Sequence, residues 1–477
     1  MRSARLPAAA LLLAVAGCTL APKYRRPEAP VAAEFPAAAV AEPAGPAAVP
    51  ASDLGWRDVF GDPRLQALVA LALERNRDLR VSALNVELVR AQYRIQRAAE
   101  LPQLNAQASI TTQRIPADLS ASGKATTVEA WSVGAAVTGF ELDLWGRVRS
   151  LSNAALEQWF ATDEARRSAQ LSLVAEVANQ YLASRALDAQ VALARSTLET
   201  VEASAGLTRR AAEAGRVADI DLRTAEAQVE TARFNLAAAE QQRALTANAL
   251  VLLAGGPIPA DLPDPLPLES QPVVADLPAG VPSEVLVRRP DVLAAEHALR
   301  SANANIGAAR AAFFPRIALT ATAGTASSQL WGVLGSGSGA WTFTPSITVP
   351  IFAGGELRAN LDAAHVRKSI QIAQYERAIQ GAFREVADAL AARGWIEEQV
   401  RAASARVAAE QERFRLSDRR YRAGIDNYLT VLTAQRDLFA AEQQLIQTRL
   451  TRLANLVALY KALGGGWRER TAVAAGG

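Results

Sequence analysis

Few side chains in this sequence could carry out chemistry, and their positions argue against a catalytic or metal centre. The chain has two histidines, His297 and His365, in separate helical stretches, so a histidine-based zinc or heme centre is not expected. No Ser-His-Asp, Cys-His or paired-carboxylate arrangement stands out, because the acidic residues are spread along helix faces as partners of basic ones. We therefore predict that the protein is not an enzyme and holds no metal.

The single cysteine is informative through its position. A basic start and a short apolar run, Leu6–Val15, precede Ala-Gly-Cys18, as a secretory signal requires. "VAGC" also resembles the bacterial lipobox, in which the cysteine becomes the lipidated first residue; the alternative is an ordinary signal peptide with an incidental cysteine. We predict cleavage after residues 1–17 and N-palmitoyl and S-diacylglycerol groups on Cys18, with no other cofactor. The residue after the cysteine is Thr19 and not aspartate, which by resemblance to bacterial lipoproteins favours sorting to the outer membrane.

The composition excludes some partners and some folds. Half of the residues are hydrophobic, and the formal net charge is +3, of which two positive charges lie in the leader. This balance gives no reason to expect nucleic acid as a partner. No later run reaches 18 apolar residues, so no transmembrane helix is predicted. Any membrane crossing must then use closed β-structure, since lipid cannot satisfy an open sheet edge.

The chain contains two copies of one unit. Three pairs of glycines are each separated by 209 residues, namely Gly146 and Gly355, Gly215 and Gly424, and Gly255 and Gly464. Two upstream pairs are separated by 213 residues, namely Asp78 and Asp291, and Pro102 and Pro315. The change of four residues must lie between the proline and the first glycine of each half. Because exposed loops tolerate length changes best, we expect this segment to contain one.

The repeats divide the chain into six segments. These are the signal peptide 1–17, a lipidated Pro/Ala-rich tether 18–52, a first repeat 53–255, a Pro-rich linker 256–282, a second repeat 283–466 and a C-terminal tail 467–477. In the first repeat we predict a strand hairpin at about 103–143 and a helical hairpin at about 147–254 with its tip near 215. In the second they fall at about 316–352 and 356–463, with the tip near 424.

The predicted strands alternate polar and apolar residues. Gln103, Asn105, Gln107 and Ser109 alternate with apolar neighbours, as in a barrel strand with a wet interior. Four tryptophans lie at or near the predicted strand ends, where aromatic residues meet a membrane interface: Trp131, Trp145, Trp331 and Trp341. A place in the core of a soluble domain is the alternative for them.

The long helical segments carry coiled-coil seams. Apolar residues step by three and four from Leu187 to Val201 and from Leu222 to Leu236, and by seven from Leu432 to Tyr460. Gly215 and Gly424 fall where each outgoing helix must reverse, since glycine takes the left-handed conformation that ends a helix. The returning helix is then capped by Asp219 or Asp221 in one copy and by Asp426 or Asn427 in the other.

Four strands cannot close a transmembrane barrel alone, so several chains must contribute. Three chains would supply twelve strands, within the range of outer-membrane barrels. Six helical hairpins would then continue the barrel as a tunnel. The predicted fold is mainly α with membrane β: a trimeric 12-stranded β-barrel, four strands per chain, continued by a long coiled-coil α-helical barrel built from two tandem repeats.

The sequence resembles the outer membrane factor family, the TolC/OprM type, and within it the efflux lipoproteins of the NodT type. The resemblance is carried over nearly the whole chain, most strongly by "RRPDVLAAEHALRSANANIGAARAAFFP" (288–315) and "YRAGIDNYLTVLTAQRDLFAAE" (421–442). It implies a homotrimer in the outer membrane, lipid-anchored and barrel-spanning, that extends into the periplasm. It also implies a role as the exit duct of a tripartite efflux pump that passes drugs or other small toxic compounds. The implied partners are a periplasmic adaptor and, through it, an inner-membrane resistance-nodulation-division pump.

The resemblance also implies a gate near the periplasmic tips. Leu429 matches an apolar constriction, Thr433 stands where close relatives carry aspartate, and Arg436 lies one turn further along. Tyr421 and Asp221 match positions that tie inner to outer helices, and Gly215 and Gly424 match tips that contact the adaptor. For Leu429 the alternative is packing in a helical seam, and for Arg436 a solvated helix face. Asp437 is a hypothetical substitute for the charge missing at Thr433.

Two other functions remain open at this point. An outer-membrane duct of a type I protein-secretion system would share the fold, and fold alone does not determine the cargo. A periplasmic coiled-coil adaptor lipoprotein would be expected to lack the twofold repeat of strand hairpin and helical hairpin.

Overall fold

The computed structural model describes residues 19–33, 35, 53–274 and 283–471. The chain divides into two compact units. The first comprises residues 1–28, 85–163 and 294–376, and the second comprises 29–84, 164–293 and 377–477. The units do not coincide with the sequence repeats, because each repeat contributes to both. Within the described ranges no helix has both the length and the apolar character needed to span a membrane.

The first unit contains a four-stranded antiparallel sheet in the order β1-β2-β3-β4. The strands are β1 (Leu104–Ile115), β2 (Thr126–Glu141), β3 (Arg316–Ser327) and β4 (Gly339–Thr348). All four lie inside the predicted hairpin ranges. The two hairpins join through β2 and β3, which leaves β1 and β4 at the edges of the sheet.

The two faces of the sheet differ in polarity. Residues paired across strands share a face, so Ile110 and Trp131 lie on one side and Ser109 and Ser132 on the other. The first side is apolar and also carries Leu104, Val133, Phe343 and Ile347. The second side is polar; there the Ser109 and Ser132 hydroxyls lie 2.7 Å apart and those of Thr322 and Thr342 lie 2.6 Å apart. The predicted alternation is confirmed.

The extra length of the first repeat lies in a strand. The loop between β1 and β2 and the loop between β3 and β4 are of similar length, whereas β2 has 16 residues and β4 has 10. The register of β2 against β3 shifts between Val137 and Phe140, beyond the last residue of β2 that pairs with β1. The expected exposed loop is present at residues 116–125, but the extra residues lie in β2. A β-bulge absorbs extra residues because it adds them to one strand of a pair.

The tryptophans occupy different environments. Trp331 and Trp341 are strongly exposed at the loop end of the sheet, as an interfacial position requires. Trp145 follows β2 and stacks on Phe314 at a centroid distance of 4.8 Å, and its Nε1 donates to the Pro315 carbonyl at 2.8 Å. Trp131 lies inside β2, five residues from the start of that strand. Only Trp331 and Trp341 thus fit the predicted interfacial location.

The helices repeat in length as well as in order. The first half contains α1 (Trp56–Val59), α2 (Pro63–Arg75), α3 (Arg77–Ala98), α4 (Arg147–Glu213) and α5 (Asp219–Leu253). The second half contains α6 (Pro290–Ala311), α7 (Glu356–Arg422) and α8 (Tyr428–Ala462). The outgoing helices α4 and α7 each have 67 residues, and the returning helices α5 and α8 each have 35.

The predicted seams form the core of the second unit. Val191, Ala194 and Val201 on α4 are buried, as are Ala225, Val229 and Ala232 on α5. On α8 every predicted seam residue except the half-buried Phe439 is buried. Near the tips, a cluster built from Val201, Ala225, Val229, Val431 and Leu432, among others, joins both hairpins in one apolar core. Helices of this length depend on such packing for their stability.

A buried arginine fixes the start of α6 in the second unit. Arg289 donates to both carboxylate oxygens of Asp291, to Glu385 on α7 and to the Ala462 carbonyl at the end of α8. Each bond is 2.7–3.0 Å long. This residue belongs to the "RRPD" motif of the sequence. Its role is to hold the start of α6 against the middle of α7 and the end of α8, since a buried charge must be paired and hydrogen-bonded.

An N-terminal strap, residues 19–26, packs along α6 in the first unit. The buried carboxylate of Glu296 accepts hydrogen bonds from Tyr24 at 3.1 Å, from Arg26 at 2.8 and 3.1 Å, and from Arg300 at 2.7 Å. Asn303 and Arg310 donate to strap carbonyls. Burial alone would raise the pKa of Glu296, but the Arg26 and Arg300 bonds outweigh it and hold the pKa below its usual range. Burial beside Glu296 raises the pKa of Tyr24 to about 12.

Candidate functional site

The two hairpin tips share one turn geometry. Gly215 and Gly424 have φ values of 68° and 73°, in the left-handed region. The Gly215 amide donates to the Ala212 carbonyl, and the next amide donates to the Ala211 carbonyl, at 2.9 and 2.8 Å. Gly424 and Ile425 repeat the pattern at 2.9 Å each. These are Schellman motifs, which satisfy the last carbonyls of a helix, and the prediction of turn glycines is confirmed.

The caps of the returning helices differ between the tips. Asn427 caps α8, and its side chain accepts from the Thr430 amide at 3.2 Å, as one of the two predicted options. Asp426 instead forms a two-point ion pair with Arg420 at 2.7 and 3.0 Å. The N-cap of α5 is Ala218, which makes no side-chain cap bond. The prediction that Asp219 or Asp221 caps α5 was therefore wrong; both lie in the first turn, where the helix dipole favours acidic residues.

Three predicted gate residues form one stripe on α8. Leu429, Thr433 and Arg436 are spaced four and three apart, which places them on one helix face. The buried face of the same turns carries Tyr428, Val431, Leu432 and Gln435. Leu429 is 64% exposed, so it does not pack in a seam of its own chain. The stripe continues as exposed Ala440, Gln443 and Gln447.

The charges beside the stripe are balanced. Asp437 accepts from Arg436 and from Arg413, each at 2.9 Å, and Arg413 also binds Glu410 at 2.9 Å. The Arg436 and Arg413 bonds hold the pKa of Asp437 below its usual range. The hypothesis that Asp437 supplies the missing charge is not supported, because its carboxylate is neutralised by two arginines. At the stripe itself, the Thr433 hydroxyl donates to the Leu429 carbonyl at 2.9 Å.

The bond between the two hairpins uses a residue that the sequence reasoning missed. The Tyr428 hydroxyl lies 3.1 Å from the Ser204 hydroxyl on α4, and burial raises the pKa of Tyr428. Tyr421 packs against the Tyr428 ring at a centroid distance of 5.3 Å. In the part of the chain that the structure describes, neither the Tyr421 hydroxyl nor the Asp221 carboxylate forms a side-chain hydrogen bond. The resemblance implied a tie at the Tyr421 and Asp221 positions, with the basic partner expected for Asp221 absent at Asp426; the bond observed at the tips joins Tyr428 and Ser204.

The lipidation site Cys18 lies outside the described residues. The strap that follows it is described from Thr19, and the Leu20 and Pro22 carbonyls of the strap are bound by α6. Arg26 is paired with Glu296, so this part of the predicted tether is bound to α6.

Comparison with known proteins places these features in one class. Residues 68–256 and 281–465 match the model of a family described as outer membrane efflux protein. The chain belongs to this family. It is 48% identical over 471 residues, 99% of this chain and 97% of the relative, to the antibiotic efflux pump outer membrane protein ArpC of Pseudomonas putida. The same figures hold for the toluene efflux pump outer membrane protein TtgC, also of Pseudomonas putida.

A solved structure gives the same result for the fold. The open state of the MtrE outer membrane channel of Neisseria gonorrhoeae is 44% identical, with a TM-score of 0.87 over 96% of this chain and all of that one. The predicted fold class, barrel strands with a helical tunnel, is thereby confirmed. The chain is an outer-membrane channel protein of the efflux class and is not an enzyme.

Proposed function

We propose that the chain acts as a homotrimeric exit duct that passes small toxic compounds, among them antibiotics and organic solvents, out of the periplasm. A periplasmic adaptor would join it to an inner-membrane pump, which supplies the energy. Two relatives are named as the outer membrane proteins of an antibiotic efflux pump and of a toluene efflux pump, and these names support the substrate class.

The observation that carries the proposal is the incomplete sheet. Four strands with β1 and β4 at the edges, one apolar face and one polar face cannot be stable alone in lipid, because the edge strands leave backbone groups unpaired. Closure by three copies gives twelve strands, within the range of outer-membrane barrels. The polar face, with Gln107, Ser132 and Thr342, then lines the channel.

The stripe on α8 is proposed as the periplasmic gate. Leu429 would form an apolar ring at the constriction, with Thr433 and Arg436 on the next two turns. Its support is exposure: Leu429 and Arg436 are exposed outside the packed face of α8, and Thr433 beside them is half-buried. Tyr421 and Asp221 flank the same tips and are proposed to move with them. Adaptor binding at the Gly215 and Gly424 turns would shift the tips from closed to open.

Lipidation of Cys18 is proposed as an additional anchor. The acyl groups would enter the inner leaflet, and the strap would hold them beside α6. Two membrane attachments, the barrel and the lipid, make dissociation from the membrane negligible.

Deletion of the gene in its own host tests the function. We expect susceptibility to antibiotics and solvents to rise at least fourfold and to return to the parental level when the wild-type chain is supplied from a plasmid. A chain with Gly424→Pro, which breaks the second tip, should not restore resistance even where outer-membrane levels are unchanged. The proposal would be contradicted if the deletion left susceptibility to all tested compounds unchanged and abolished the secretion of a protein.

A further inference from the structure

A short 3₁₀ turn, the rim turn Leu330–Leu334, forms a cavity with the sheet. It lies in the loop between β3 and β4, at the end of the sheet away from the helices. The Ser338 hydroxyl lies 2.8 Å from the Gly335 carbonyl and 3.0 Å from the Val333 carbonyl and shares its one proton with them, which closes the loop. Gly332 lies against the Ser327 side chain, so close that a Cβ at this position would clash with it. These contacts fix the rim turn against the sheet.

The rim turn lies on the apolar face of the sheet. Ser327 pairs with Trp131, and Trp131 pairs with Ile110, so all three side chains share the apolar side. The cavity has a volume of about 460 Å³ and lies between these strands and the turn. Its sheet wall includes Ala108, Ile110, Trp131 and Val133, and its other wall is formed by Leu330, Trp331, Val333 and Leu334. Among the described residues, none of those that line it is charged.

The exposure of the turn indicates what fills the cavity. Trp331 and Leu334 are 85% and 89% exposed, whereas Val333, between them, is buried. Large apolar side chains held outward at the loop end of a membrane sheet meet hydrocarbon, and tryptophan favours the interface. The volume falls in the usual range for small-molecule pockets, about 300–1,000 Å³. Its lining includes Ser109 and Ser132 but is otherwise apolar or aromatic, so it offers few polar partners for ordered water.

We propose that this cavity binds one acyl chain of a lipid in the surrounding leaflet. The rim turn holds the acyl chain against β1 and β2, and Trp331 covers the opening of the cavity. The bound lipid serves as a filler between sheet and loop and fixes the loop at the membrane surface. This site is separate from the channel, because Ile110, Trp131 and the rim turn place it on the apolar face of the sheet, although Ser109 and Ser132 between these positions also border it.

Two matched substitutions test the site. Ala106 and Ala108 lie on the same face of β1, and only Ala108 lines the cavity. The protein is reconstituted in nanodiscs of palmitoyl-oleoyl phosphatidylcholine, extracted in detergent and examined by native mass spectrometry. We expect about one retained lipid per chain in the wild type and in Ala106→Phe, and at least a fivefold lower occupancy in Ala108→Phe. Equal retention in the two variants would overturn the proposal.

A second measurement does not require that Ala108→Phe, the variant with a filled cavity, folds correctly. The fluorescence of Trp331 is obtained as the difference between the wild type and Trp331→Phe. In vesicles of brominated phosphatidylcholine this fluorescence should be quenched. The quenching should persist after extraction into lipid-free detergent, which removes the bulk lipid, since the bound acyl chain exchanges slowly. Immediate recovery on extraction would show only bulk lipid contact and would overturn the proposal. Loss of oligomers in Ala108→Phe alone would place a second copy of the chain in the cavity and would likewise overturn it.

Discussion

The two halves of the chain have the same elements but bury them differently. The returning helices α5 and α8 are equal in length, yet α5 has five buried residues and α8 has fifteen. The first-half helix α3 has no buried residue, whereas α6 buries Val292, Leu299 and Ile306. A repeat therefore conserves the helix lengths while the environment of each helix changes.

The exposed positions show what the difference means. At the same position of the repeat, α5 exposes Phe234, which is 72% exposed, and α8 exposes Gln443. Leu252 on α5 is likewise exposed where α8 has Lys461. Large apolar side chains that are this exposed gain free energy when they are buried against another protein. We infer that the exposed face of α5 contacts a neighbouring copy, and that the exposed face of α8 meets water in the channel.

The largest expected effect comes from a charge on the exposed face of α5. Phe234→Asp should abolish the proposed trimer, because a carboxylate buried between copies would lack a partner. Native mass spectrometry in mild detergent would show single chains. The control is Asn235→Asp, which adds the same charge at the adjacent residue, on another face of the helix. A Phe234→Asp trimer as stable as the control would contradict the assignment of this face to the interface.

The strap on α6 is expected to have the next largest effect. Its partner Glu296 has Ala83 as its first-half counterpart, so only the second half can bind a strap in this way. Glu296→Gln should lower the free energy of unfolding by about 2–3 kcal/mol, because Arg26 and Arg300 lose a buried carboxylate. Thermal unfolding monitored by circular dichroism measures it. Glu157 lies on α4 and pairs with His297, so Glu157→Gln serves as a control within the same unit.

The strap should also respond to acid. The pKa of folded Glu296 lies below the unfolded value of about 4.3, so its contribution is complete above that pH and is lost as the pH falls through the folded pKa. Protease cleavage of the strap in the wild type should therefore increase below about pH 4, whereas Glu296→Gln should be cleaved equally at all pH values. A flat profile in the wild type would exclude Glu296 as the group responsible.

The tips allow a comparison at equal geometry. Within the described ranges, no atom lies near a Cβ added at Gly215 or Gly424, so alanine at either position meets only the backbone cost of positive φ. That cost is about 1–2 kcal/mol, and hydrogen exchange at the helix ends should report it in both variants. A clear effect at one tip and none at the other would show that the turns are not equivalent.

The smallest effects concern the caps. Asn427→Ala should destabilise the start of α8 by about 1 kcal/mol, and Ala218→Asn should stabilise the start of α5 by a similar amount or less. Hydrogen exchange of the first-turn amides distinguishes the two. The tips should become more alike in the Ala218→Asn variant; a further loss of protection at α5 would show that Asn is not accepted as its cap.

Local patterns in the sequence predicted the turns, the seams and the strand faces. Gly215 and Gly424 were found because left-handed helix ends need glycine, and the sheet faces because side chains alternate along a strand. The strap was missed because Tyr24 and Arg26 lie in a Pro-rich stretch without periodicity. The Tyr428–Ser204 bond was missed because its partners are 224 residues apart and lie on different repeats.

The gate is tested most directly by single-channel conductance in planar bilayers. Leu429→Ala is compared with Ile220→Ala, because Ile220 is the equivalent exposed position of the first tip. We predict a severalfold higher resting conductance for Leu429→Ala and a wild-type value for Ile220→Ala. A Leu429→Ala channel that conducts no more than the wild type would contradict a constriction at this residue.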